Sequence, residues 1–314
     1  MKTNISLILI LCLLLGACKN GNASSQSKSE TPQDTIKAIK MPAIPQMMTA
    51  PEQRADFLAK HYWDNVNFAD TNYIHHPEVT EQAWADYCDL LNHVPLETAQ
   101  QAMRNVIDRT NVDKKVFTYI TDLADKYLYD PNSPMRNEEF YIPVLEAMIA
   151  SPVLNETEKI RPQARLKLAQ KNRIGTKALN FTYTLASGAQ GSLYQLKAEY
   201  LLLFINNPGC QACTETIEGL KNAPIINQLL QEKKLVLLSI YPDEELDEWK
   251  KHLSEFPNEW INGYDKKFTI KEEQVYDLKA IPTLYLLDKD KTVLLKDATA
   301  PAIEAYLTAS IVNM

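Results

Sequence analysis

The sequence predicts two folded domains, an all-α domain followed by an α/β domain whose mixed sheet has helices on both faces. Three observations support this. The 314 residues exceed the usual length of one domain. Residues 52–174 have apolar positions at helical spacing and few glycines, whereas from residue 175 short apolar runs alternate with helical patterns.

The first 17 residues have the pattern of a secretory signal. Lys2 precedes an apolar run over residues 5–15, which is too short for a good membrane-spanning helix. Leu15-Gly16-Ala17-Cys18 resembles the lipobox of bacterial lipoproteins, in which cleavage precedes a cysteine that receives lipid. Cys18 is therefore the expected lipidation site. An ordinary cleaved signal with a coincidental cysteine is the alternative.

Residues 18–51 predict a disordered tether, because they are rich in Ser, Asn, Lys, Gln and Pro and lack apolar periodicity. Lipid on Cys18 would join this tether to a membrane surface. The chain has 33 basic and 40 acidic side chains, and the signal contains only one of them, Lys2. An acidic mature protein argues against nucleic acid as a partner.

Residues 52–174 predict a bundle of five or six helices. Apolar residues recur at i, i+3 and i+4 in runs that start at Ala55, Trp84, Met103, Val116 and Ile142. Pro95 and Pro143 are expected near helix starts, where a missing N–H does no harm.

Three other features of this region carry predictions of their own. Cys88 lies in a helical pattern and is expected to be a small buried hydrophobe. The segment 127–139 is expected to be a turn plus a helix N-cap, although Tyr129, Arg136 and Asn137 are candidates for binding. His75-His76 is expected in an exposed loop without metal.

The α/β domain, residues 175–314, begins with a predicted hairpin of Phe181 to Leu185 and Ser192 to Leu196. The elements expected after it are a buried strand at 201–205, a helix from about Cys210, a helix around 225–230, a strand at 235–240, a helix from 243 to about 253, a hairpin of 281–288 and 292–296, and a helix at 301–311.

Cys210 and Cys213 form a C-x-x-C pair where the buried strand meets a helix. The helix dipole and the free N–H groups of the first turn favour thiolate over thiol there. Cys213 lies one turn later and can attack a mixed disulfide formed at Cys210. Half of a zinc site and an inert structural disulfide are the alternatives. The zinc reading lacks the other ligands, since only His252 follows.

Residues 176–314 resemble a thioredoxin-fold domain of the TlpA/ResA-like extracytoplasmic thiol-disulfide oxidoreductases. Cys210-Gln-Ala-Cys213 and Ile281-Pro-Thr283 carry the resemblance. The lipobox and the helical region with Leu128 to Glu138 are similar to thioredoxin-like lipoproteins of Bacteroidota. The resemblance implies that Cys210 is the nucleophile and Cys213 the resolving cysteine. It also implies that a cis-proline loop at Ile281 and Pro282 pairs with the substrate backbone.

The chain departs from the family pattern in two places. Gly209 replaces the aromatic residue that commonly precedes the first cysteine, which should widen access to it. The buried acid that helps to deprotonate the resolving cysteine would fall near Phe204, which cannot titrate. Unless another carboxylate, such as Glu199, comes close, Cys213 should deprotonate slowly.

The sequence therefore predicts a membrane-tethered, extracytoplasmic thiol-disulfide oxidoreductase that acts on protein thiols and disulfides without a diffusible cofactor or metal. A separate redox partner must recharge the pair. The expected location is the cell envelope, lipid-anchored to the outer membrane and facing the periplasm. The alternative is a non-catalytic binding lipoprotein whose helical domain recognises a partner. Peroxide reduction at Cys210 is disfavoured because no proline-rich Thr-x-x-Cys loop is present.

Overall fold

The computed structural model describes residues 38–312. The predicted signal at 1–17, the lipidation site Cys18 and the tether up to residue 37 lie outside the described residues. Residues 38–50 of the predicted tether contact the helical domain: Ile39 packs against its core, and the Lys40 carbonyl accepts a hydrogen bond of 2.9 Å from Asn65. Within residues 38–312, no helix has the length and apolar content needed to cross a membrane.

The helical domain has six α-helices in the described part of the chain. They are α1 (Pro51–His61), α2 (Pro77–Leu91), α3 (Leu96–Arg109), α4 (Lys114–Ala124), α5 (Glu138–Ala150) and α6 (Glu156–Ala169). One buried apolar cluster joins them, and its largest side chains include Trp84, Tyr87, Phe117, Met103 and Tyr141. The all-α prediction for this region is confirmed.

Pro143 lies inside α5, so the prediction that it sits near a helix start is wrong. A proline in a helix cannot donate to the carbonyl four residues earlier, here that of Glu139. The side chain of Gln100 replaces that donor, because its Nε2 lies 3.0 Å from the Glu139 carbonyl oxygen. A tertiary contact therefore makes the proline tolerable. Pro95 is the N-cap of α3, close to the predicted position.

The segment before α5 differs in detail from its prediction. Asp125–Tyr129 forms a short π-helix, which appears in no simple apolar pattern. Asn137 is the N-cap of α5, and its side chain accepts a hydrogen bond of 3.2 Å from the Phe140 amide. Glu138 and Glu139 therefore occupy the first turn, where negative charge complements the helix dipole.

The α/β domain contains a seven-stranded mixed sheet in the order β2-β1-β5-β4-β3-β6-β7 among the described residues. Strands β3, β4 and β5 are parallel to one another, and the remaining pairs are antiparallel. The strands are β1 (Thr182–Leu185), β2 (Gln190–Ser192), β3 (Tyr200–Ile205), β4 (Leu235–Tyr241), β5 (Ile261–Tyr264), β6 (Thr283–Asp288) and β7 (Val293–Lys296).

Both faces of the sheet are covered, as predicted. The helices of this domain are α7 (Gln211–Lys221), α8 (Pro224–Gln231), α9 (Leu246–Lys251), α10 (Thr269–Glu272) and α11 (Ala300–Val312). Alternate residues of β3 point to opposite faces. Leu202 and Phe204 pack with α7, α8 and α11, whereas Leu201 and Leu203 pack in the cluster that contains Ile270 of α10. All six residues of β3 are buried, which explains their unbroken apolar run.

Two local predictions in this domain need correction. Strand β2 covers Gln190–Ser192, and Leu193–Gln195 forms a 3-10 turn rather than the predicted strand. Leu193 is there turned into the core, and its amide donates to the Phe181 carbonyl. Strand β5 was not predicted, because it contains Asn-Gly, a turn signal. A Cβ at Gly263 would lie 3.0 Å from the Tyr183 ring and 3.2 Å from the Thr184 carbonyl oxygen, so glycine gives this strand its close approach to β1.

Candidate active site

Cys210 lies at the point where a buried strand gives way to a helix. β3 ends at Ile205, the chain turns through residues 206–209, and α7 begins at Gln211 with Cys210 as its N-cap. Gly209 adopts φ +71°, a left-handed conformation that disfavours any residue with a side chain. The turn therefore requires glycine directly before the cysteine, where related proteins commonly have an aromatic residue.

The Cys210 sulfur has two backbone neighbours. The Cys213 amide donates to it at 3.4 Å, so the cysteine caps its own helix. The second neighbour is the Ile281 carbonyl oxygen, 3.8 Å from Sγ, which accepts a hydrogen bond from the thiol. The sulfur therefore lies at the N-terminal end of α7, among the amide groups of its first turn. Cys210 is half-buried, and its sulfur lies at the junction of α7 and the proline loop.

Cys213 is 2% exposed and lies beneath Cys210. Burial raises the pKa of Cys213 to about 12, the Asn207 amide at 3.5 Å opposes this, and the neighbouring Cys210 adds to it. None of these influences comes from a carboxylate. Both cysteines are free thiols in the structure.

The two places where a carboxylate could have assisted Cys213 are accounted for. Phe204 is fully buried, and its ring stands edge-on to Trp260. Glu199 precedes β3, whereas the cysteines follow it, so the length of the strand, roughly 20 Å, separates them. Neither Phe204 nor Glu199 therefore places a carboxylate beside Cys213.

Ile281 and Pro282 lie directly opposite the cysteine turn. The peptide bond between them is cis, as the resemblance implied. Thr283 begins β6 and pairs with Ile205, the last residue of β3. That register brings residues 281 and 282 to the same edge of the sheet as the turn that carries Cys210. The structure thus brings together all four residues proposed from the sequence for the α/β domain.

Sequence reasoning missed two asparagines that fix the cysteine turn. Asn206 is buried and its Nδ2 donates to Ser239 Oγ at 2.8 Å. Asn207 Nδ2 donates to Asp243 Oδ2 at 3.0 Å, and Asp243 in turn accepts a hydrogen bond from Lys271. An Asn-Asn pair after a buried strand signals a turn, but its partners, more than thirty residues away, gave no local signal.

A buried charge cluster between the two domains was also missed. Lys279 and Lys296 of the α/β domain contact Glu138 of the helical domain. Arg136, a binding candidate from the sequence, contacts Asp297 and is 20% exposed. Tyr129, another candidate, packs between the cations of Arg165 and Lys279. These side chains therefore join the domains.

The remaining predicted sites can be placed as well. Cys88 is buried in α2, as expected, and burial raises the pKa of its thiol. His75 ends a short 3-10 helix and His76 is the N-cap of α2. Across residues 38–312, no three His, Cys, Asp or Glu side chains are grouped so that they could hold a metal ion.

A buried strand, a C-x-x-C pair at the head of the next helix and a cis-proline before the adjoining antiparallel strand define the thioredoxin-fold class. Comparison with protein families agrees, because residues 198–293 match a family described as thioredoxin-like. Residues 17–172 match a domain of unknown function, DUF5106. A comparison with curated proteins found no match.

Solved structures extend this assignment. The chain is 83% identical to a thioredoxin-like protein from Bacteroides caccae, with a TM-score of 0.85, and the match covers 88% of this chain and 99% of that one. A C-terminal domain of an uncharacterized protein from Bacteroides fragilis is 69% identical over 44% of this chain and 98% of its own, with a TM-score of 0.43. The chain belongs to the thioredoxin-like family and carries an N-terminal DUF5106 domain.

Proposed function

We propose that this protein is a thiol-disulfide oxidoreductase that exchanges disulfides with partner proteins through Cys210 and Cys213. One observation carries the proposal: the Cys210 sulfur lies between the Cys213 amide, at 3.4 Å, and the carbonyl of Ile281, at 3.8 Å. An amide-capped sulfur directly beside the backbone of the proline loop suits attack on a disulfide in an extended peptide.

The reaction proceeds in two exchanges. The Cys210 thiolate attacks one sulfur of a partner disulfide, which forms a mixed disulfide and releases the other partner sulfur as a thiolate. Cys213 then loses its proton and attacks Cys210 Sγ, which forms the Cys210–Cys213 disulfide and releases the second partner thiolate. Two electrons pass to the partner, and its two thiolates take up the two protons. A dithiol protein must reduce the pair again; the reverse sequence oxidises a partner dithiol.

The proline loop supplies the proposed substrate contact. Ile281 and Pro282 precede β6, and an extended segment of the partner could pair with the backbone of this loop beside Cys210. Recognition through backbone groups would tolerate many side chains. The proposed substrates are therefore proteins with an accessible disulfide.

We further propose that lipid on Cys18 anchors the protein in the cell envelope, facing the periplasm. The support is the sequence pattern of the first 18 residues. Radiolabelled palmitate should be incorporated into the full-length protein in a bacterial host and should be absent from a Cys18→Ala variant. Incorporation by that variant would contradict the assignment.

The mechanism is tested by trapping its intermediate. A Cys213→Ser variant should accumulate a mixed disulfide with disulfide-bonded insulin, because Cys210 attacks an insulin disulfide and the resolving thiol is absent. Intact-mass spectrometry followed by peptide mapping should place that bond at Cys210. Cys210→Ser, the matched control, should trap nothing. If neither variant forms a mixed disulfide, or if the bond maps to Cys88, the proposed function is wrong and a binding role would account for the fold better.

A further inference from the structure

The loop that contains the cis-proline is held on both sides of the proline by a set of polar contacts. Each set includes a residue of the helical domain. Residues 277–283 connect the segment after α10 to β6. Lys279 lies two residues before Ile281, and Thr283 directly follows Pro282. Both side chains join a cluster of charges whose members are almost fully buried.

The first set of contacts is centred on Lys279. Its Nζ lies 3.0 Å from Glu138 Oε1, 3.3 Å from Asp277 Oδ2 and 3.4 Å from Asp297 Oδ2. The side chains of Lys279, Asp277 and Asp297 are 8%, 7% and 9% exposed, and that of Glu138 is 11% exposed. Burial opposes the charge on Lys279, but the three carboxylates outweigh it and raise its pKa. The ammonium group is therefore held in one place.

Glu138 is a rigid partner for this lysine. It occupies the first turn of α5, which Asn137 caps, and its second carboxylate oxygen is bound by Lys296 of β7. Lys296 also donates to the Lys171 carbonyl at 2.8 Å, in the segment that joins the domains. Each end of the Glu138 carboxylate thus has its own lysine partner, so its orientation is fixed.

The second set of contacts lies after the proline in the sequence. Thr283 Oγ1 donates to Asp297 Oδ1 at 2.8 Å. Arg136 Nη2 donates to the Asp297 carbonyl oxygen at 2.7 Å and lies 3.9 Å from its carboxylate. Asp297 is in the left-handed conformation, with φ +51°, which aspartate adopts more readily than most residues.

We propose that Arg136 and Glu138 of the helical domain are positioning residues that hold the cis-proline loop, and with it the Ile281 carbonyl, in place beside Cys210. The inference rests on the proposed function and adds a role for the helical domain. Glu138 restrains the loop before the proline through Lys279, and Arg136 restrains it after the proline through Asp297 and Thr283. The substrate surface would therefore be built by both domains.

A purely stabilising role for the cluster makes different predictions. Buried charge pairs often add little net stability, yet removal of one partner leaves the other buried without compensation. If the cluster only stabilised the fold, a substitution would speed opening throughout the chain. If it positions the loop, the effect should be local and should change substrate binding more than the reactivity of Cys210, which is the N-cap of α7 and contacts the loop only through the Ile281 carbonyl.

The test compares three variants of the full chain. Glu138→Gln keeps the shape of the side chain but removes its charge. Arg136→Ala removes the contacts of Arg136 with Asp297, in the second set. It provides an independent test if Glu138→Gln folds poorly. Glu139→Gln is the matched control, because Glu139 is the next residue in α5 and is also ion-paired, but with Arg173 and away from the loop. The measurements are amide hydrogen exchange of peptides covering 277–284 and 200–206, kcat and KM for insulin reduction, and the rate of Cys210 alkylation.

Glu138→Gln and Arg136→Ala should each speed exchange in 277–284 by about tenfold and raise KM by about fivefold, with exchange in 200–206 unchanged and Cys210 alkylation changed by less than KM. The Glu139→Gln control should behave like the wild type in the loop. Unchanged loop exchange, an equal increase throughout the chain, or faster loop exchange with unchanged KM would each overturn the proposal. A wild type that reduces no disulfide would instead refute the proposed function, and loop-specific exchange would still show that the helical domain holds the loop.

Discussion

The two sides of the candidate active site, the cysteine turn and the cis-proline loop, are held in place by different parts of the chain. The cysteine turn, residues 206–213, is held by the α/β domain: Asn206 bonds to Ser239, Asn207 bonds to Asp243, and Cys210 caps its own helix. The cis-proline loop, residues 277–283, is held by both domains, through Glu138 before the proline and Arg136 after it. The nucleophile is therefore positioned locally, whereas the loop that faces it depends on contacts with a distant part of the chain.

Under the proposed function, the difference separates two properties of the protein, the reactivity of its cysteines and its recognition of a partner. Two of the features that bear on cysteine reactivity, the N-cap position of Cys210 and the burial of Cys213, are set within the cysteine turn and α7, and the loop adds one contact, the Ile281 carbonyl. Recognition of a partner peptide depends on the proline loop. The helical domain can thus influence recognition without touching the reactive sulfur. Changes on the cysteine side should alter chemistry, and changes on the loop side should alter KM.

The largest expected effect concerns the buried cysteine. In a Cys210→Ser variant, alkylation of Cys213 should rise about tenfold with each pH unit from pH 8 to pH 11, because only the thiolate reacts and burial raises the pKa of Cys213 towards 12. A free cysteine, with a pKa of about 8.5, should level off above pH 9. Stopped-flow or quenched alkylation followed by mass spectrometry measures the profile. A plateau near pH 9 would show that Cys213 is not buried in solution.

A smaller effect is expected at the glycine before Cys210. Gly209→Ala should destabilise the protein by about 1–2 kcal/mol, because alanine is strained at the left-handed φ of +71°. Gly219→Ala, in the middle of α7, is the matched control: its new Cβ would meet only Ala300, at 3.7 Å, and should stabilise the helix by about 0.5–1 kcal/mol. Urea unfolding measures both. Equal effects of the two substitutions would contradict the strain argument.

The smallest effect is expected from the loss of a single hydrogen bond, on either the loop side or the cysteine side of the candidate active site. Thr283→Val removes the bond to Asp297 on the loop side and should raise KM about threefold, consistent with a loss of about 0.5–1.5 kcal/mol. Ser239→Ala removes the bond to Asn206 on the cysteine side and should leave KM unchanged. Steady-state insulin reduction gives both values. An increase in KM for Ser239→Ala but not for Thr283→Val would contradict the assignment of substrate recognition to the loop side.

Features encoded by neighbouring residues could be predicted from the sequence. Cys210 and Cys213 were found because a buried strand, a turn and a helix start follow one another directly. The proline motif at Pro282 was found by its resemblance to a known family. The Lys279–Glu138 contact could not be found in this way, because its partners are 141 positions apart and each alone reads as an ordinary surface charge.

Tertiary contacts also overrode some local signals. Pro143 fits inside α5 because Gln100 supplies the hydrogen bond that the proline cannot make. Asn262-Gly263 has the pattern of a turn, but it lies in β5 between two other strands, where a Cβ at Gly263 would lie 3.0 Å from the Tyr183 ring. In both cases the deciding atoms belong to another part of the chain, which a local pattern does not contain.

The reduction potential of the Cys210–Cys213 pair tests the central claim most directly. The protein would be equilibrated in thiol-disulfide buffers, and its oxidised fraction would be read by alkylation and mass spectrometry. The account predicts one reversible two-electron transition between about −120 mV, the value of strong oxidants, and about −270 mV, the value of thioredoxin. A pair that stays reduced or oxidised across that whole range would contradict a role in disulfide exchange.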